Sequence, residues 1–272
     1  MNKDSHVAII MSVYKSDDCS ALINALDSLV NQSLSCDIFL YRDGPVPQDL
    51  QLTLNHYSSY SNIFYYESGD NQGLAVALNY LINKTLEGNY KYIARMDSDD
   101  ISHVNRIEKQ VIFLEKNSNV DVCGTFCKEF GASYASKRKS LPLDHSSLLD
   151  FSITRCPFIH PTVMFRSIVF AHGHRYPVDT ALTEDMALWF ELLTHGYRFG
   201  NLDEVLLDYR LNENTIERRK GLNKALSEVN LRIKFMFKLN RLSVRNIFLI
   251  LSRIPFHLLP NFIIKFMYKF CR

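Results

Sequence analysis

The chain reads as an α/β fold: a mostly parallel central sheet flanked by helices, followed by a basic helical tail. Three observations predict it. Between Val7 and Gly124, short β-branched and aromatic runs alternate with stretches of helical apolar spacing, the order expected of right-handed βαβ crossovers. The first run is continuously apolar, as a strand covered on both faces must be. The 272 residues, 47% of them apolar and 22% charged, suffice for one large domain with an appendage.

VAIIMSVY (7–14) is the first strand, and 21–30 the first helix, with Leu22, Ala25, Leu26, Leu29 and Val30 on one face. A second strand, 37–42, stops at the Asp43-Gly44-Pro45 turn. Residues 50–60 predict a helix and 63–67 a third strand. Asn71-Gln72-Gly73 opens a helix over 74–86, where alternating Ala and Leu permit close packing on a sheet. The fourth strand, 91–96, runs into an acidic cluster. A helix over 104–116 and a strand at 120–124 follow. The second half alternates less regularly. Residues 137–147 predict a mobile polar loop, 163–165 a strand after His160-Pro161-Thr162, 186–194 an apolar helix, and 205–210 a last strand. No internal repeat or low-complexity stretch is present.

The run YIARMDSDD (92–100) places Asp97, Asp99 and Asp100 within four positions. Carboxylates that close repel one another and resist burial unless a cation or a donor network compensates them. If the strand continues, Asp97 and Asp99 share a face. Two such carboxylates suit a hard divalent ion that substrate phosphates also bind; a polar turn with a helix cap is the alternative. Ligands of such sheets sit beyond the strands' carboxyl ends, and there Ser12-Val13-Tyr14, Asp43-Gly44 and the acidic cluster converge.

The start of the chain lacks the charged, apolar and small-residue succession of a signal sequence, which predicts a cytoplasmic protein. Six cysteines form no CxxC pair and are expected as free thiols. Charge is divided sharply. Residues 218–272 carry 13 Lys and Arg against one acid, Glu228, within an overall balance of only +2. Basic residues beside bulky apolar ones over 216–239 and 243–271, interrupted by Pro255 and Pro260, predict a helix lying in an anionic membrane interface. Packing on the preceding domain is the alternative. No nucleic-acid-binding module accompanies the charge.

The succession MSVYK, a strand ending in DG, NQGLAVALN, RMDSDD and TEDMALWFELL, over about residues 6–215, resembles glycosyltransferase family 2 with its GT-A fold. The RMDSDD strand end is similar to that of bacterial enzymes building O-antigen or exopolysaccharide repeat units, such as those adding β-1,3-galactose to lipid-linked GlcNAc. The resemblance implies a Rossmann-like nucleotide-sugar half (1–125), an acceptor half (126–215) and a membrane-associating tail (216–272). It implies a nucleotide pocket with Tyr14, Asp43 (toward uracil), Asn71, Gly73, Arg95 and Asp97. Arg95 either pairs with the diphosphate or neutralises its acidic neighbours. Asp99 would ligate Mn²⁺ or Mg²⁺, Asp97 the same ion or ribose, while Asp100 ligates or, preferably, caps the next helix. Asp185 would be the general base of an inverting transfer and Glu184 would orient the acceptor, with His160 and Trp189 lining the acceptor side. For Tyr209-Arg210, closure over the diphosphate and structural packing stand equal. The expected donor is a UDP-sugar, galactose first, with glucose and N-acetylhexosamines behind it. The expected acceptor is undecaprenyl-diphosphate-linked GlcNAc or GalNAc at the cytosolic face of a bacterial inner membrane. Rival readings are a nucleotidyltransferase, which should carry a Gly-rich basic loop where MSVYKSDD stands, and a non-catalytic peripheral membrane scaffold.

Overall fold

Strand β1 (Val7–Tyr14) is almost wholly buried, and its side chains divide the core in two. Ile9 and Met11 face the layer of α1 (Cys19–Val30), α2 (Gln48–Tyr57) and α4 (Arg106–Lys116), packing with Leu22, Leu26, Leu54 and Ile107. Ala8 and Ile10 face α3 (Leu74–Leu86) and α7 (Glu184–Thr194), in a cluster that includes Leu78, Leu81, Phe165 and Trp189. Each such aliphatic side chain removed from water contributes about 1.5–3 kcal/mol, so this strand anchors both layers. The computed structural model describes residues 6–180, 183–214 and 221–270.

One eight-stranded sheet has the order β3-β2-β1-β4-β7-β6-β8-β5. Its other strands are β2 (Asp37–Asp43), β3 (Ile63–Glu67), β4 (Tyr92–Arg95), β5 (Ile101–Ser102), β6 (Val122–Phe130), β7 (Met164–Arg166) and β8 (Phe199–Arg210). The pairs β3–β2, β2–β1 and β1–β4 are parallel, and β7 enters antiparallel between β4 and β6. The expected mostly parallel α/β sheet is therefore present, and each of its antiparallel pairs (β4–β7, β6–β7 and β5–β8) involves β7 or β8 of the second half.

Three expectations need correction. Strand β4 ends at Arg95, where Arg95 N–H donates to the Val163 carbonyl and Met96 N–H to that of Ile10. The three acids therefore sit on a turn, and strand alternation does not set their directions. Asp100 caps no helix: the two-residue β5 comes next, and α4 starts only at Arg106. Residues 137–147 are not a free loop. Lys139 exchanges backbone hydrogen bonds with Cys127 at 2.8 and 3.4 Å, and Asp144 caps the unforeseen helix α5 (His145–Thr154) by accepting from Ser147 N–H. A further short helix, α6 (Ser167–Ala171), follows β7.

The tail forms α8 (Leu222–Lys238), α9 (Val244–Leu251), α10 (Arg253–Leu258) and α11 (Asn261–Phe270). It is docked on the body. Val229, Phe235, Met236 and Ile250 share a buried cluster with Ile153 of α5 and Met186 and Phe190 of α7. Arg232 is 2% exposed, pairs with Glu228 at 2.9 Å and donates to the Ser152 and Ile153 carbonyls. Arg253 reaches the same glutamate at 2.6 Å, and Arg241 pairs with Asp150. Several tail cations are thus answered by acids and carbonyls within the molecule. An outer face remains: Val244 and Phe248 are 85% and 70% exposed, beside Ile247 and Leu251, and Phe266 of α11 is exposed separately. Among the described residues no helix is long and apolar enough to cross a membrane.

Candidate active site

Tyr14 lies opposite Asp43 in the β1–β2 register, so two of the expected nucleotide residues meet at one sheet edge. Asp43 is 3% exposed, and its carboxylate is a clasp: Oδ1 accepts from Gln72 N–H at 2.8 Å and Oδ2 from Gly73 N–H at 2.9 Å. Asn71 Nδ2 donates back to the Asp43 carbonyl at 3.1 Å. The next residue must be glycine, because Gly44 has φ +82° and a Cβ there would stand 2.6 Å from Asn71 N. Gly73, at φ +91°, caps α3 through its backbone alone. Asp43, Asn71 and Gly73 therefore form one shaped loop at the end of β2, held by hydrogen bonds that their spacing in the sequence did not reveal.

The acidic turn is tied to its surroundings at three points. Ser98 Oγ donates to Asp17, which also accepts from Tyr14 N–H, so the turn is fastened to the end of β1. Asp100 is fully buried and its Oδ1 accepts from Arg210 N–H at 2.7 Å, pinning the turn to β8. Arg210 Nε donates to the Asp99 carbonyl, and its guanidinium lies 4.6 Å over the Phe130 ring. Arg210 thus takes a packing role in this geometry. Arg106, wholly buried, donates to the Pro161 and Arg95 carbonyls and holds the back of the turn.

One carboxylate oxygen from each of Asp97, Asp99 and Asp100 lies within 4.8 Å of the others. Burial first, then the charges of Asp97 and Asp17, push the Asp99 carboxyl up to about 6. Asp100 is driven well above the ordinary carboxylate range by burial and by the charges of Asp97 and Asp99, and its Oδ2 is buried without a hydrogen-bond partner among the described residues. A set of hard oxygen donors, crowded and under-compensated, fits a divalent cation such as Mg²⁺ or Mn²⁺.

Arg95, only 3% exposed, is ion-paired with Asp97. Burial pulls this guanidinium down, but Asp97, Tyr176, Asp100 and Asp185 outweigh it and the net shift is upward. Its Nε and Nη1 meet no hydrogen-bond partner among the described residues. Of the two expected roles, neutralisation of the neighbouring acids is the one visible here. Asp185 belongs to the same electrostatic field, although it comes from α7. Glu184 and Asp185 form the first turn of that helix, where the dipole favours negative charge. Met186 N–H donates to Asp185 Oδ1 at 2.7 Å, and the Cys156 thiol, 3.9 Å away, to Oδ2. Burial and the nearby Asp185 charge push that thiol up to about 12.

Tyr176 and Cys156 went unnoticed in the sequence. The Tyr176 hydroxyl is 2.9 Å from His160 Nε2, and Tyr176 exchanges two backbone hydrogen bonds with the Asn79 side chain. Its phenol is pushed well above its ordinary value by burial, despite the nearby Arg95. His160 is pushed well below its ordinary value by burial and by Arg95, so it stands neutral. No motif marked Tyr176; only the pairing of α3 with the segment after α6 brings it to Arg95. Trp189 is corrected outright as an acceptor contact. It is 1% exposed, stacked on Phe165 at 5.6 Å and edge-on to Phe158 and His160, so neither ring face is open to a sugar.

A doubly covered α/β sheet with a clasped loop after β2 and a carboxylate triad after β4 defines a GT-A-type enzyme. Residues 8–179 match the family "Glycosyl transferase family 2". The chain is 32% identical, over 96% of its length and 94% of the relative's, to the UDP-Gal:alpha-D-GlcNAc-diphosphoundecaprenol beta-1,3-galactosyltransferase of Escherichia coli. It is 29% identical, over 96% and 97%, to the amylovoran biosynthesis glycosyltransferase AmsE of Erwinia amylovora. The fold is shared with S. aureus TarS 1–349 in complex with UDP (TM-score 0.61, 16% identity, 86% of this chain and 70% of that one). It is also shared with the mannosyltransferase PcManGT of Pyrobaculum calidifontis in complex with GDP-Man and Mn²⁺ (TM-score 0.60, 12% identity, 96% and 72%). The chain belongs to glycosyltransferase family 2.

Proposed function

We propose that this glycosyltransferase moves a hexose, galactose first, from a UDP-sugar to a GlcNAc or GalNAc on undecaprenyl diphosphate. The transfer inverts the anomeric centre, giving a β linkage with position 3 as first choice, in O-antigen or exopolysaccharide repeat-unit synthesis. The observation that carries the reaction class is the meeting of carboxylates from two segments, Asp97 and Asp100 of the acidic turn and Asp185 of α7, around the buried Arg95. Donor and acceptor rest on the E. coli galactosyltransferase, similar along nearly the whole chain.

In this reading Asp185 removes the acceptor hydroxyl's proton as that oxygen bonds to the anomeric carbon, while the bond to the UDP oxygen breaks on the opposite face. Two donors, Met186 N–H and the Cys156 thiol, fix the carboxylate's direction. Glu184, one residue earlier on the same turn, orients the acceptor. Asp99 and Asp97, with Asp100 behind them, would hold Mn²⁺ or Mg²⁺, which neutralises charge developing on the departing diphosphate. Tyr14 and the Asp43-clasped loop supply the nucleoside side, where the second lone pair on each Asp43 oxygen is left for uracil.

Residues 1–215 constitute the catalytic unit and 216–272 its membrane-associating part, on the cytosolic face of a bacterial inner membrane. The exposed apolar strip of α9, flanked by Arg245, supports that placement. Incubating the protein with a panel of UDP-sugars and a synthetic GlcNAc-diphosphate-lipid, with Mn²⁺ or with EDTA, tests the whole reading. Metal-dependent transfer from UDP-galactose is expected. Transfer that survives EDTA would remove the metal, and a product with retained anomeric configuration would remove Asp185 as base.

A further inference from the structure

On the far part of α7 from Asp185, three side chains converge that the transfer reaction does not use. His195 follows Glu191 by one helical turn, and His174 reaches them from the segment after α6. One donor atom from each of the three lies within 4.8 Å of the others. The imidazoles of His174 and His195 are 4.9 Å apart between centroids, and Tyr197 walls His174 edge-on at 5.0 Å.

The hydrogen bonds fix which nitrogens are available. His195 Nδ1 lies 2.8 Å from the Glu191 carbonyl oxygen, which can only accept, so Nδ1 carries the proton and Nε2 keeps its lone pair. His174 Nδ1 lies 2.7 Å from Glu191 Oε1, so a cation that displaces the proton shared between them meets this nitrogen and the carboxylate together. An imidazole whose second nitrogen donates to a carbonyl or carboxylate is oriented and made more basic, which is how metal-binding histidines are held. His174 is 11% exposed and Glu191 35% in their side chains, so the site is partly shielded yet open on the His195 side.

We propose that His174, Glu191 and His195 form a second cation site, selective for borderline first-row ions such as Zn²⁺, with water completing the shell. Two imidazoles and one carboxylate are the donor set that zinc accepts, at Zn–N distances of about 2.0–2.1 Å. Small rotamer changes close the ligand spacing from the metal-free geometry. The acidic turn, with oxygen donors alone, prefers harder ions. The site is structural. It clips the segment after α6, which carries Tyr176 two residues beyond His174, onto the helix whose first turn carries Asp185.

The test is a Zn²⁺ titration of tag-free, full-length protein by calorimetry, with Mg²⁺ in large excess to occupy the acidic turn. One equivalent is expected, and Co²⁺ in its place should give the visible spectrum of nitrogen ligation. His195→Ala, an exposed position whose change spares the fold, and Glu191→Gln should each weaken binding by about 10- to 100-fold. Asp99→Asn should leave it unchanged, and thermal melts should report Zn²⁺ stabilisation in the wild type but not in His195→Ala. Absence of Zn²⁺ uptake, uptake indifferent to His195→Ala, or uptake lost in Asp99→Asn would each overturn the proposal.

Discussion

The two carboxylate groups around Arg95 are built in opposite ways. Asp97, Asp99 and Asp100 sit on a turn beyond a strand, where burial and mutual repulsion raise Asp99 to about 6 and push Asp100 upward as well. Glu184 and Asp185 open a helix, where backbone dipoles favour their charge and Asp185 takes a donor on each oxygen. The first group is under-compensated and fitted to gain a cation. The second is already solvated by the protein, which suits the proton acceptance proposed for Asp185. The same side chain acquires two chemistries from the element it terminates.

The largest expected effect separates the two groups. Asp185→Ala should lower kcat by roughly 10³-fold or more while leaving UDP-sugar binding within about twofold, because a general base acts on the chemical step. Single-turnover kinetics beside donor calorimetry measures both, and retained turnover removes the base assignment. Asp99→Asn should instead weaken Mn²⁺-dependent donor binding by about 10²-fold. The same change should raise the melting temperature of EDTA-treated protein by roughly 2–6 °C, since a repelled buried charge disappears. A fall in that melting temperature would mean that the acidic turn is not strained.

A smaller effect follows from the raised Asp99 carboxyl. Its folded value of about 6 lies above the ordinary 3.8, so the folded protein holds this proton more tightly than the unfolded chain does. Metal-free stability contributed by Asp99 is therefore full below about 3.8 and is lost as pH rises through about 6. Cation binding runs the other way and should weaken about 3- to 5-fold between pH values well above and half a unit below that point. Manganese titrations at the two pH values check it, and Asp99→Asn should abolish the difference. The smallest effect belongs to Cys156→Ala, which removes one donor from Asp185 and should lower kcat about 2- to 5-fold without changing donor affinity. An unchanged kcat would show that Met186 N–H alone orients the base.

The first half of the fold was legible because its code is local. The spans of β1, β3 and α3 can be read directly from apolar period and turn residues, and the DG, NQG and DSDD signals fall at one sheet edge. The second half is encoded over longer distances. Even within the first half, strand β5 has two residues and exists because Ile101 pairs with Asp208 of the second half. Helix α5 begins with polar residues whose meaning lies in the Asp144 cap. Tyr176 enters the site through Asn79, 97 positions earlier, and no spacing rule reaches that far. Trp189 misled for the opposite reason. A lone tryptophan beside a catalytic motif suggests a sugar platform, but seven residues of α7 are buried and it is one of them. The tail's charge was plain in the sequence, whereas its answer in Glu228, Asp150 and backbone carbonyls is a tertiary fact.

The cluster joining Met186 and Phe190 of α7 to Phe235 of α8 and Ile250 of α9 also acts as a ruler. Asp185 precedes Met186 directly, and Ile250 lies on the helix whose other side presents Val244 and Phe248 outward. Close-packed side chains do not slide, so Asp185 stands at a fixed height above any surface that this outward side meets. Under the proposed reaction, an acceptor anchored in that surface would be measured as well as recognised: a sugar chain too short or too tall by one residue would bring the wrong hydroxyl level with Asp185.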